Sequence, residues 1–111
     1  MPTYVTLAEY TQQGIERVTQ GNDLTDYLES VAEDAEGEIR DVYLTFGGYD
    51  LVVVSEFPDD RSYAEFALAV GGQGDLSTET LKGITRDEYR DIAADLGTRE
   101  PGGVPGEFSE G

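Results

Sequence analysis

The stretch Val42 to Phe57, V-Y-L-T-F-G-G-Y-D-L-V-V-V-S-E-F, constrains the fold more than any other part of the chain. Val42, Leu44 and Phe46 alternate with Tyr43 and Thr45, the period-two pattern of a strand with one apolar face. Past Gly47-Gly48 the run Leu51-Val52-Val53-Val54 is unbroken, as in a strand covered on both faces. The two segments therefore read as a hairpin, with the glycines expected to supply positive φ values and Asp50 to accept hydrogen bonds from nearby amides. Something must cover such a sheet on both sides.

The rest of the chain limits what can do so. At 111 residues it holds one core and no second domain. It has no cysteine, histidine or tryptophan, which removes disulfides, thiolate and imidazole metal sites, Cys or His nucleophiles and His general bases. No cofactor is expected, no metal site is indicated, and an enzymatic role is disfavoured. No apolar stretch is long enough to span a bilayer and no basic-then-apolar leader opens the chain, so a cytoplasmic location is expected.

The net charge is −17, with 24 acidic against seven basic residues spread along the chain. Self-repulsion on this scale destabilises a small domain at low ionic strength, whereas at molar salt the Debye length falls to about 3 Å. A protein from a halophilic organism is the expectation. The competing account is an acidic surface that binds a basic partner or mimics nucleic acid. Nucleic-acid binding is itself disfavoured, because Arg17, Arg40, Arg61, Lys82, Arg86, Arg90 and Arg99 are scattered.

In chain order, Thr3 to Tyr10 alternate, with Val5 and Leu7 on one face and Tyr4, Thr6, Ala8 and Tyr10 on the other. Thr11 can cap a short helix through Ile15 and Val18 that Gly21 breaks. Leu24, Tyr27, Leu28 and Val31 then mark an amphipathic helix starting at Asn22 or Asp23 and stopping near Gly37. Strand two is read over Glu38 to Phe46 and strand three over Asp50 to Phe57. Pro58-Asp59-Asp60 starts a helix striped by Tyr63, Phe66, Ala67 and Val70, which Gly71-Gly72 is expected to end. Strand four is read over Leu76 to Ile84. Thr85 and Glu88 form a capping box for a last helix, striped by Tyr89, Ile92, Ala93 and Leu96 and closed by Gly97. Residues 98–111, rich in Gly, Pro and Glu, are expected to be a mobile tail behind one domain over 1–97.

The order β-α-β-β-α-β is the split βαβ arrangement, a four-stranded antiparallel sheet with strands one and three central and both long helices on one face. The uncovered face keeps apolar residues of strand three. A second copy, sheet against sheet, is its simplest cover, and a homodimer is expected, with assembly into a higher oligomer left open by the sequence. The other solution folds the C-terminal helix under its own sheet.

Gly48-Tyr49-Asp50 before an apolar strand resembles the signature of the GYD domain family. The agreement extends through P-T-Y-V-T-L (Pro2 to Leu7), F-A-L-A-V (Phe66 to Val70) and T-E-T-L (Thr78 to Leu81), and covers residues 1 to 90. The resemblance implies an α+β, ferredoxin-like domain of the dimeric α/β barrel type. It implies no activity.

Candidate ligand-binding residues are Tyr4, Thr6, Tyr43, Thr45, Tyr49 and Asp50. With Thr78 and Thr80, the first four are expected on the less apolar face of the sheet, where hydroxyls beside aromatic walls can fix a small polar molecule or equally pack an interface. Tyr49 beside Asp50 suggests a proton donor and acceptor, although adjacent strand residues point to opposite faces. Asp59-Asp60 and Glu33-Asp34 lack the ligand spacing of a calcium loop. Gly71-Gly72-Gln73-Gly74 follows a helix and lacks a lysine, unlike a phosphate cradle. The reading reached is a homodimeric module that binds or senses a small molecule, without nucleic-acid or membrane partners. A ligand-free assembly subunit and a cofactor-independent oxygenase or isomerase are the alternatives.

Overall fold

The computed structural model describes residues 1–98; the tail expected over 98–111 lies, apart from Thr98, outside the described residues. Eight elements follow one another: β1 (Thr3–Tyr10), α1 (Gln12–Thr19), α2 (Leu24–Asp34), β2 (Glu38–Leu44), β3 (Leu51–Glu56), α3 (Asp60–Gln73), β4 (Leu76–Gly83) and α4 (Arg86–Gly97). The strands form one antiparallel sheet in the order β2-β3-β1-β4. This is the ferredoxin-like α+β arrangement expected from the order of elements, with β1 and β3 central and a C-terminal helix added.

Helix starts follow local chemistry. Thr11, Asp23, Asp59 and Thr85 each accept a hydrogen bond from a backbone amide of the first turn of their helices, and Glu88 completes the capping box on Thr85. Helix ends are less local. Gly71 and Gly72 do not stop α3, which runs on to Gln73 and closes on Gly74 in the left-handed conformation, φ 89°. Glycine permits that conformation without requiring it, so the stop falls where the turn into β4 needs it. At the hairpin, likewise, only Gly47 has a positive φ, 115°, and the Thr45 amide donates to the Asp50 carbonyl at 2.8 Å to close the loop.

The core lies between one sheet face and helices α2 and α3. Leu24, Leu28 and Ala32 of α2 and Tyr63, Phe66 and Val70 of α3 are buried against Tyr4, Ala8, Leu51, Val53 and Leu76. Phe57, fully buried at the end of β3, is surrounded by Tyr4, Tyr63 and Phe66 with ring centroids 5.1 to 6.0 Å away. Each such side chain contributes about 1.5 to 3 kcal/mol by leaving water. Truncating Phe57 to alanine would damage this core by about 3 to 5 kcal/mol.

The register corrects one expectation about faces. Tyr4, Thr6 and Ala8 face the helices and are 1 to 4% exposed, while Val5 and Leu7 share the open face with Val52 and Val54. Thr6 and Thr80 can lie inward because the Tyr63 hydroxyl sits between theirs, at 2.7 and 2.8 Å. The buried Thr6 and Tyr63 hydroxyls are satisfied at little cost, while Thr80, on the edge strand, stays exposed.

Helix α4 buries none of its side chains: Tyr89, Ile92 and Leu96 are 65, 47 and 48% exposed. It does not fold under its own sheet, so the open face is covered by no element of its own chain among the described residues.

Candidate functional site

Opposite residues in an antiparallel sheet share a face, so the pairings define rows across it. On the open face one row runs Tyr43, Val52, Leu7, Glu79, from the β2 edge to the β4 edge. The next runs Asp41, Val54, Val5, Leu81. At about 4.8 Å between strands, each row is about 14 Å long. The face is therefore an aliphatic floor of Val5, Leu7, Val52 and Val54, with Tyr43 and Asp41 along the β2 border and Glu79 and Leu81 along the β4 border.

Tyr49 completes the β4 border. It leaves the hairpin so that its hydroxyl donates to Glu79 Oε1 at 2.5 Å, joining the hairpin to β4 across the end of β1. That bond, and then the charge of Glu79, hold the Tyr49 phenol above its ordinary pKa. Tyr49 is thus a neutral hydroxyl at neutral pH and Glu79 an exposed acceptor. The pair can orient a hydrogen-bond donor or a cationic group lying over the floor, and a proton donor with a pKa raised in this way is poorly matched to acid–base work near neutrality.

The six candidate residues separate into three groups. Tyr43 and Tyr49 belong to the open face. Thr45 and Asp50 hold the hairpin: the Thr45 hydroxyl donates to the Tyr49 carbonyl at 2.7 Å, and Asp50 Oδ2 accepts from the Tyr10 amide at 2.9 Å. Tyr49 and Asp50 consequently do not converge. Tyr4 and Thr6 lie inside, where Tyr4 stacks on Tyr63 with centroids 4.3 Å apart and planes 7° from parallel. The Tyr4 hydroxyl emerges at the edge of the core, donates to Asp60 and lies beside Lys82, whose Nζ is 2.9 Å from Asp60 Oδ1 and 5.9 Å from the Tyr4 ring. Burial, and secondly the Asp60 carboxylate, push the Tyr4 phenol up to about 12. The Tyr4 hydroxyl, and then Lys82, hold the Asp60 carboxyl below its usual range.

Sequence reasoning passed over Tyr63, Asp60 and Lys82 as polar partners, and paired Glu79 with nothing. Parity in β4 does place Glu79 on the face opposite Lys82; what cannot be read is that Tyr49, 30 positions earlier, reaches it. A half-open groove of about 380 Å³ lies elsewhere, between α2 and β2, lined by Glu29, Glu33, Gly37, Glu38 and Ile39. None of the candidate residues lines it. Among the described residues no group of acidic side chains is arranged to hold a metal ion, and no helix is long and apolar enough to cross a membrane.

A ferredoxin-like domain with one sheet face packed by helices and the other left open is what these residues build. Residues 4–93 match the GYD domain model, and the chain belongs to the GYD domain family. Among solved structures it is similar to FFRP-DM1, with a TM-score of 0.56 at 20% identity over 76% of this chain and 100% of that one. It is also similar to MtbAldR, with a TM-score of 0.55 at 11% identity over 77% of this chain and 52% of that one, about half its length. At these identities the likeness is one of fold. Among curated proteins, none matches this chain in sequence.

Proposed function

We propose that this protein is a homodimeric binding module, adapted to high salt, in which two copies stack their open sheet faces and hold a small molecule over the floor between Tyr43 at one border and the Tyr49–Glu79 pair at the other. The observation that carries the reading is the aliphatic floor of Val5, Leu7, Val52 and Val54, which no element among the described residues covers. The core between sheet and helices is filled by Tyr4, Phe57, Tyr63 and Phe66, and the groove between α2 and β2 is lined by none of the candidate residues, which favours the open face as the place where they meet a ligand. Its chemistry favours a molecule with an apolar body and a donor or cationic group: the body lies on the floor and the polar group meets the Tyr49–Glu79 pair. The assembly reading without a ligand draws on the same floor, since aliphatic rows also seal a dry interface.

Native mass spectrometry of the full chain, purified from a salt-tolerant host without refolding, tests this. A two-chain mass carrying an extra small mass that is released on denaturation is the expected result. A two-chain mass with nothing bound favours the ligand-free assembly, and a single-chain mass at micromolar concentration in molar salt overturns the reading.

A further inference from the structure

Two apolar features besides the open face have no partner among the described residues. One is the α4 stripe, and the other is the hairpin, where Leu44 is 68% and Phe46 97% exposed. They lie at diagonally opposite corners of the sheet. The hairpin joins β2 to β3 at the end where β1 finishes, whereas α4 leaves the far edge strand, β4, at the end where β1 begins, because Gly83 pairs with Thr3. Within one chain they lie apart among the described residues.

Two stacked copies bring them together. A two-fold axis lying between the sheets and along the other diagonal carries each corner of one copy over the opposite corner of its partner, and the contact is made twice by symmetry. We propose that α4 is an exchanged arm, its stripe of Tyr89, Ile92 and Leu96 seated on the Leu44 and Phe46 hairpin of a second copy. This rests on the stacked-sheet reading above and adds a second contact to it.

Area and charge both support the arm. Four strands about 4.8 Å apart and about seven residues long present about 450 Å², against the roughly 800 Å² per partner of a stable interface. A 12-residue helix is about 18 Å long and 10 Å across. One arm given and one received bring each copy close to that standard area. Arg17, Arg40, Arg61 and Lys82 are each ion-paired within the chain, while Arg86 and Arg90, both on α4, have no ionic partner among the described residues. Arg86 opens the helix, where the dipole disfavours a cation, so the stability of α4 does not explain it. The hairpin end of the sheet carries Glu9, beside Tyr49, a charge these arginines lack.

The chain has no cysteine, so cross-linking can be placed at will. Full-length F46C and I92C are co-expressed, purified in molar salt, weighed in solution and treated with a short bis-maleimide. The expected result is a dimer that yields a two-chain band in the co-expressed mixture and little in either variant alone. A dimer with no heterologous cross-link overturns the arm and leaves the stacked sheets standing. Equal linking in each variant alone also overturns the arm, because it places like residues together. A monomer removes both. In parallel, I92D is expected to weaken dimerisation at least tenfold without changing the circular dichroism of the monomer; unchanged affinity counts against the arm.

Discussion

The Tyr63 hydroxyl bridges Thr6 and Thr80, at 2.7 and 2.8 Å, and ties α3 to β1 and β4 beneath the ring that stacks on Tyr4. Tyr63→Phe keeps the ring and leaves the buried Thr6 hydroxyl without its partner, while Thr80, exposed on the edge strand, can turn to water. At about 1 to 3 kcal/mol for a buried polar group left unbonded, a loss of about 2 kcal/mol is expected in urea unfolding. Thr6→Val in the Tyr63→Phe background should restore part of it, because the stranded hydroxyl is then removed.

Base titration should single out Tyr4. The chain has seven tyrosines, and burial together with Asp60 pushes Tyr4 to about 12. A phenol whose pKa is raised on folding contributes stability that is complete below the unfolded value near 10 and is lost as pH rises from about 10 to about 12. Absorbance of tyrosinate is therefore expected to rise in at least two phases, with the last phase missing in Tyr4→Phe. Tyr10, raised by burial and then Asp50, and Tyr49, raised by its bond to Glu79, are also held above the ordinary phenol value.

Much of this fold is legible along the chain because it depends on near neighbours. Thr11, Asp59 and the Thr85–Glu88 pair announce their helices, and the stripes through Leu28 and Phe66 give the buried sides. Which face of the sheet those helices cover is not legible. In β1 parity separates Tyr4, Thr6 and Ala8 from Val5 and Leu7, and apolarity alone sends the valine and leucine inward. The choice is made instead by Tyr63, 57 positions from Thr6, which bonds the inward hydroxyls. In β3 both faces read as valine, so Val53 and Val54 differ in position and not in kind. The candidate site was divided for the same reason: Tyr4 and Tyr43 look alike in sequence, and only the register places them on opposite sides.

Two glycines of opposite consequence test how tightly α1 is seated. A Cβ on Gly14 would lie 2.0 Å from the carbonyl oxygen of Asp75, in the turn that also receives the Thr11 amide at 3.0 Å. Gly14→Ala must push α1 off that turn and is expected to cost at least the 1 to 3 kcal/mol typical of overpacking. Gly72, inside α3, has nothing within 4 Å of a built Cβ. There Gly72→Ala should raise stability by about 0.5 to 1 kcal/mol through helix propensity alone. Thermal midpoints moving in opposite directions are the expected readout.

Salt should act on folding and on pairing with the same sign. Each copy carries −17, so association brings two strongly negative bodies together, and the Debye length of about 10 Å at 0.1 M falls to about 3 Å at 1 M. The same screening weakens any attraction of Arg86 and Arg90 for Glu9, but a local pair is outweighed by the net charge. The dimer dissociation constant is expected to fall by tenfold or more between 0.1 and 2 M potassium chloride, as measured by sedimentation. In the same series the circular dichroism of a dilute sample should gain helix signal as the fold forms. Val54→Asp, which adds a charge to the aliphatic floor, should keep the folding response and lose the association response. A parent protein fully folded and fully paired without salt would remove the electrostatic argument, and with it the reason for reading −17 as an adaptation to high salt.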